Sequence, residues 1–580
     1  MIVRQDAFNR ARKSPFLALV AHFVRRLFAS EEEQDGSSVG VGLGAVLAIL
    51  ASPGAFASIF LLDKYGTLLQ WARGQPLDAV MRSPSDEYFF VVLSMTITGL
   101  VTVARWNRLF PDGRDFSNLA SLPIPIHNIF FANFVALFGL AVLFALDVNV
   151  VSALLFPLFV TLGTAKESMF ILFQLGISHF TTVLSSSLFS FFAVFGLVGL
   201  LMLIVPRRIF RPVSLAMRMI LVVVLLTEFF SNLFLQLFAG KLPGAAGHPL
   251  RWLPSFWFLG IYENMLGIAK PAMAAFGKQA LLALGAAIVI SIAAYALCYH
   301  RIFLRLPESF DIMGGSRPLF RIQLPEALLR PLFRSQFERA CSSFAVKVLT
   351  RSEQHLMFFG AYLGIGLVLV VQTALDSHNE GSARLPGSDY LAIPFLIAFF
   401  LITGLRFVLD RPAAFQANWI FRITADAPWP EPRKVARRLM LWATIPWELL
   451  ILLPISAGRL VWPLTLLHVA IVIASTVLFA DLMLLRFSKI PFTCSAQFDV
   501  KQLLVQMLGL LFSALVFVPA LASLEHWILE QPVRFLGLAL AFALAWYWMM
   551  RYRQQQRVAA DEQVRFEDGP AAPFELLKLS

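Results

Sequence analysis

RLFPDGRDFSNLASLPIPIHN, residues 108–128, is short, charged and punctuated by proline, and it lies between two strongly apolar runs at 88–105 and 129–147. It is too short to fold as a domain. Pro111, Asp112 and Gly113 mark a turn, and residues 115–120 fit one or two helical turns. Leu122, Pro123, Ile124 and Pro125 are stiff and extended ahead of a helix that starts near Ile126. Long apolar runs joined by stiff, charged connectors of this kind describe an all-α, polytopic helical membrane protein.

The rest of the chain repeats that pattern. Of its 580 residues 58% are hydrophobic, 56 are Phe and only 14% are charged, with a mean hydropathy of +0.72. A soluble chain of this length needs more polar surface. Apolar runs fall at 39–62, 88–105, 129–147, 174–205, 214–240 and 277–299, and again at 354–373, 390–408, 437–455, 461–484, 503–521 and 534–552. They predict about twelve transmembrane helices in two six-helix halves, 1–300 and 301–580.

The net charge is 48 minus 36, or +12. The basic residues cluster in connectors beside the apolar runs, so they fit the positive-inside pattern, and no basic and aromatic patch suggests nucleic acid. Residues 150–165 form one more apolar stretch, short and holding Pro157; setting it at the outer face keeps Arg207, Arg208 and Arg211 inside. Segments 63–86, 374–389 and 522–533 then read as outer loops, and both termini lie in the cytoplasm of a bacterial inner membrane. Residues 14–28 are basic and amphipathic, interrupted by His22, Arg25 and Arg26, and read as a surface helix rather than a signal peptide.

Ionisable groups inside apolar runs are costly, which makes them informative. Glu228, Asn232 and Gln236 share one helical face and, with Glu448, are the translocation-pathway candidates. Asp481 sits at a span end, within reach of Arg486 or Lys489, and reads as structural. His179 and His468 have no His or carboxylate neighbour at ligand spacing and read as packing residues. In NWIFR, 418–422, Trp419 and Phe421 suit the headgroup level while Arg422 pairs with lipid phosphate or a docking partner. Cys298, Cys341 and Cys494 form no disulfide framework, and no catalytic or metal-binding set stands out.

The two halves share an order: an amphipathic basic segment (14–28, then 327–350), a span, an outer loop, a second span, a charged inner loop (106–128, then 407–436) and four more spans. Such duplication is common in transporters. With 14–28 as an elbow helix, 112–122 as a cytoplasmic coupling element and RWLPSFWFLGIYENML, 251–266, as an outer re-entrant piece, the layout resembles ABC-2-type permeases, the membrane subunits of ABC exporters. The resemblance implies that Arg108, Asp112, Arg114, Asp115, Leu119 and Pro123 contact a separate nucleotide-binding ATPase subunit. It also implies that ATP and Mg bind on that partner, that membrane lipids surround the chain, and that the fused halves form a pseudo-dimer. The chain itself has no G-x-x-x-x-G-K-[ST] loop; the nearest string, AFGKQ at 275–279, lacks the leading Gly and the Ser or Thr. The alternatives are an ion-coupled secondary transporter, for which Glu228 is the first coupling candidate, and a membrane enzyme acting on a lipid-linked substrate.

Overall fold

The computed structural model describes residues 15–28, 43–72, 79–106, 109–110, 125–164, 169–234, 252–301, 336–378, 386–411, 432–457, 460–485, 487, 490–493 and 500–559. Among them the chain is helical throughout, with no strand. It forms two compact units, Met1–Ser316 and Arg317–Ser580.

The first unit contains α1 (Pro15–Phe28), α2 (Leu43–Ala72), α3 (Ala79–Ala104), α4 (Ile126–Leu162), α5 (Met169–Ile204), α6 (Arg207–Phe234), α7 (Pro254–Leu266) and α8 (Pro271–Arg301). The second contains α9 (Gln336–Arg351), α10 (Glu353–His378), α11 (Ser388–Leu409), α12 (Pro432–Ala457), α13 (Trp462–Met483), α14 (Val500–Glu530) and α15 (Phe535–Ala559). Each of the twelve apolar runs is carried by one long helix. Among the described residues, ten of these are long and apolar enough to cross a membrane.

The second long helix is central in each unit. In α3 and α11, 72% and 83% of the apolar window is buried, against 22% in α8. Leu281, Leu282, Val289 and Ile290 of α8 are exposed, which suits a face toward lipid tails. Surface helix α1 buries Leu19 and Phe23 against Ile129, Ala132 and Ala136 at the start of α4. Pro125 precedes α4 in an extended conformation, φ −57° and ψ 131°, as the Pro-x-Pro wording predicts.

Several boundaries differ from the sequence reading. Residues 150–162 are no separate outer segment: they continue α4, a helix of 37 residues that runs through Pro157. At about 1.5 Å per residue this helix exceeds a hydrocarbon core of about 30 Å. The expected outer loop 63–86 shrinks, because α2 extends to Ala72 and α3 begins at Ala79. Likewise α14 runs to Glu530 through the expected loop at 522–533.

Helices α7 and α8 form a tight hairpin. Gly267 ends α7 at φ 72°, a left-handed conformation that glycine adopts without steric cost. The backbones then meet at Gly260 and Gly277: a Cβ on Gly260 would lie 2.5 Å from the Gly277 nitrogen and from the Met273 oxygen. Small residues permit this close crossing.

Cys298 and Cys341 are buried free thiols, and burial pushes the Cys341 thiol up to about 12. With Cys494 replaced (Cys494→Ala), the folded chain is expected to resist N-ethylmaleimide at neutral pH and to take up two labels only after denaturation in SDS. Intact-mass spectrometry reads the count.

Candidate functional site

The interior of the first unit is organised around α3, whose first turns carry the sequence Ser83-Pro84-Ser85-Asp86-Glu87-Tyr88. Asp86 is nearly fully buried and receives Lys64 Nζ at 2.7 Å on both oxygens and the Tyr65 hydroxyl at 2.7 Å. Both partners come from α2, and Lys64 is 41% exposed, so this ion pair reaches the surface of the unit.

One residue on, Glu87 turns inward. Its Oε2 lies 2.5 Å from Nδ1 of His179 on α5, and both side chains have no exposure. His179 Nε2 lies 3.3 Å from Oγ of Ser152 on α4. The rings of Phe90 and Phe156 flank the imidazole, with centroids 5.3 Å and 5.0 Å away. Glu87 Oε1 has no hydrogen-bond partner. Two ionisable side chains here pair with each other beside aromatic rings, which is the usual arrangement for such groups at membrane depth.

A seam of hydroxyl and amide groups continues from this pair. Ser152 Oγ donates to the Asn149 carbonyl at 3.0 Å, and Asn149 Nδ2 donates to Ser187 Oγ at 3.1 Å. Ser187 also bonds Ser94, and Thr98 donates to Ser187 at 3.2 Å. Glu87, Ser94, Thr98 and Thr102 recur at intervals of seven, four and four along α3, placing them on one face. From Glu87 to Thr102 that face spans roughly 22 Å at 1.5 Å per residue. Thr98, Thr102 and Arg105 then line a cleft with Leu140, Phe144 and Phe191.

Glu228, read as a pathway residue, is buried on α6 and accepts hydrogen bonds from the hydroxyl and backbone N–H of Ser255. Pro254 occupies the first position of α7 and offers no N–H, so Ser255 carries the first free donor of that helix. The carboxylate thereby fixes the N-terminus of α7, where negative charge is favoured. The side chain of Asn232 and all of Gln236 lie outside the described residues, so their shared face with Glu228 lies outside them too. So do Arg108, Asp112, Arg114, Asp115, Leu119, Pro123, Arg422 and Cys494.

In the second unit Glu448 on α12 accepts a hydrogen bond from Thr476 on α13 at 2.7 Å. A second carboxylate–imidazole pair lies beyond it: His468 Nδ1 and Glu525 Oε1 are 2.6 Å apart and both are buried. His179 and His468 are thus each held by a carboxylate distant in sequence, at buried positions among the packed helices. Each occupies the fourth long helix of its unit and holds a buried glutamate, from the second long helix in one unit and from the fifth in the other. Ile97-Thr98-Gly99-Leu100 on α3 is identical to Ile402-Thr403-Gly404-Leu405 on α11. That identity was readable in the sequence. The glutamates were not, because Glu87 sits between the expected loop 63–86 and the apolar run 88–105, and Glu525 falls in the expected loop 522–533.

Asp481 is a structural anchor among the described residues, and the expected partners Arg486 and Lys489 lie outside them. Its Oδ1 lies 3.0 Å from Arg437 Nε and 2.9 Å from Arg553 Nη2, and its backbone oxygen accepts from Arg433 at 3.1 Å. The group ties the ends of α12, α13 and α15. Asp481→Ala is expected to cost about 2 kcal/mol, below a fully buried pair because the arginines are partly solvated. Limited trypsin digestion reads the effect as faster cleavage after Arg551 and Arg553.

Among the described residues no three His, Cys, Asp or Glu side chains gather to hold a metal ion. Compared with known proteins, the chain matches no family model, no curated protein and no solved structure.

Proposed function

We propose that this chain is the membrane permease of an ATP-driven, ABC-type exporter, a fused pair of six-span permease units in a bacterial inner membrane. The observation that carries the reading is the order of elements in the first unit. Amphipathic α1 packs on the start of α4, six long helices follow, and the short buried α7 folds back on the last of them. The second unit repeats the amphipathic helix and the six long helices. ATP and Mg act on a separate ATPase subunit, and the chain itself is no enzyme. Arg108, Asp112, Arg114, Asp115 and Leu119 receive that subunit, with Arg422 as a second contact. The basic connectors support cytoplasmic termini.

The reading is tested with a photoreactive amino acid at Leu119, irradiated in intact membranes. A crosslink to a Walker-motif ATPase supports it. Irradiation that leaves the chain uncrosslinked at 119 while the same probe at Leu282 crosslinks lipid contradicts it.

One observation favours a second reading, an ion-coupled secondary transporter: the interiors of both units hold a buried carboxylate–imidazole pair. Transport that persists without nucleotide and follows the proton or sodium gradient would select it.

A further inference from the structure

We propose that Glu87 and His179 form a proton-binding site inside the first unit, loaded from the face where Lys64 and Asp86 meet the surface. The inference stands on the geometry of the unit and does not require an ATPase partner.

Three observations carry it. The pair is fully enclosed, yet Glu87 Oε1 is left without a hydrogen-bond partner, so one acceptor position is built and unused. A buried carboxylate oxygen left this way costs free energy unless something binds there. Next, the pair is one residue from a route outward: Asp86 is adjacent in α3, and its partner Lys64 is 41% exposed. When the lysine swings into solvent, Asp86 becomes an acceptor beside Glu87. Finally, the inner side of the pair is polar rather than sealed. His179 Nε2 meets Ser152, and Asn149, Ser187, Ser94 and Thr98 lead on toward the cleft at Thr102 and Arg105.

The groups facing the pair are few. Asp86 lies on its own helix, Lys64 and Tyr65 come from α2, and Tyr262 comes from α7, where its hydroxyl donates to Ser83 at 2.9 Å. Helix α4 contributes the neutral Ser152, and α5 contributes His179 itself. Glu228 of α6 is engaged with Ser255, whose hydroxyl also meets Tyr88 at 3.3 Å. In the resting state one proton is shared between Glu87 Oε2 and His179 Nδ1, and the pair is neutral overall. Loading adds one proton to Glu87 Oε1, giving a neutral carboxylic acid beside an imidazolium. The single positive charge is balanced by the Asp86 carboxylate. Release returns that proton by the same route, and no other bond changes.

The choice of a proton over a larger cation follows from the surroundings. Glu87 Oε1 and the imidazole are enclosed by Phe90 and Phe156, and no three acidic, His or Cys groups gather among the described residues. A sodium ion needs several oxygen ligands at once, whereas a proton needs one acceptor.

The test is infrared difference spectroscopy on the full chain in lipid nanodiscs, cycled between about pH 8 and about pH 5, the range in which histidine sites exchange protons. A protonated-carboxyl C=O band is expected to grow on acidification, to shift in D2O, and to be lost in Glu87→Gln. Ser152→Ala keeps Glu87 and His179 and removes the hydroxyl that meets Nε2 and donates to the Asn149 carbonyl, so the band is expected to persist with a displaced midpoint. If Glu87→Gln does not fold, Ser152→Ala decides alone: a displaced midpoint supports the site and an unmoved one overturns it. A band that survives Glu87→Gln, or that follows sodium at fixed pH, overturns it as well.

Discussion

His179→Ala is expected to destabilise the first unit by about 3 kcal/mol, read as a lower midpoint for unfolding in mixed detergent followed by tryptophan fluorescence. The magnitude separates two kinds of interaction. A neutral hydrogen bond between membrane helices averages about 0.6 kcal/mol, so losing the contact alone would be a small effect. The variant also leaves Glu87, which has no exposure, with neither oxygen paired. Uncompensated buried charge raises the cost into the range of about 3–5 kcal/mol. Glu87→Ala together with His179→Ala removes both groups and is expected to cost less than the sum of the two single changes, because no lone charge remains. Additive costs would mean that the two side chains do not act on each other. Ser152→Ala, which removes the neutral contact to His179 at 3.3 Å and the bond to the Asn149 carbonyl at 3.0 Å within α4, is expected to cost about 1 kcal/mol, well below His179→Ala.

Gly277→Val is expected to be comparably damaging, by about 3 kcal/mol, for a steric reason. A Cβ at position 277 would lie 2.8 Å from the Gly260 oxygen and 2.3 Å from Asn264 Nδ2. The amide of Asn264 can swing aside, but the Gly260 backbone cannot, since α7 is buried through Phe258, Leu259, Ile261 and Tyr262. The hairpin has to open, and with it go the Tyr262–Ser83 and Tyr88–Ser255 contacts that attach α7 to α3. Gly285 lies on the same helix with nothing within 4 Å of an added Cβ, so Gly285→Ala is the control and is expected to be neutral or slightly stabilising. Fluorescence-detected size-exclusion chromatography after heating distinguishes the two variants. Equal behaviour would mean that α7 and α8 do not cross at these glycines.

What the sequence made legible follows from how hydropathy reports on a membrane helix. Twelve apolar runs are carried by twelve long helices, because a run of about 20 apolar residues has few other stable outcomes. Pro123 and Pro125 placed the start of α4 for a local reason, the restricted backbone before and at proline. Helix ends were harder wherever charge enters a span. The apolar run of α3 begins at Tyr88, one residue after Glu87, although the helix starts at Ala79. In α14 the run stops before Glu525, although the helix continues to Glu530. In both cases a histidine from another helix lies within hydrogen-bond distance of the glutamate, and that partner is distant in sequence: His179 for Glu87 and His468 for Glu525. A hydropathy window counts the charge and cannot count its partner. Glu228 and Glu448 were visible because each sits well inside an apolar run, yet their neighbours, Ser255 and Thr476, are tertiary contacts.

The proposed permease role with a separate ATPase is tested by purifying the intact chain from its native membrane in gentle detergent, with mass spectrometry of what accompanies it. A stoichiometric Walker-motif ATPase is expected, and it is expected to be lost when Asp112, Arg114 and Asp115 are all changed to Ala. A chain that purifies alone, and transports in native-like lipid without that ATPase, would contradict it.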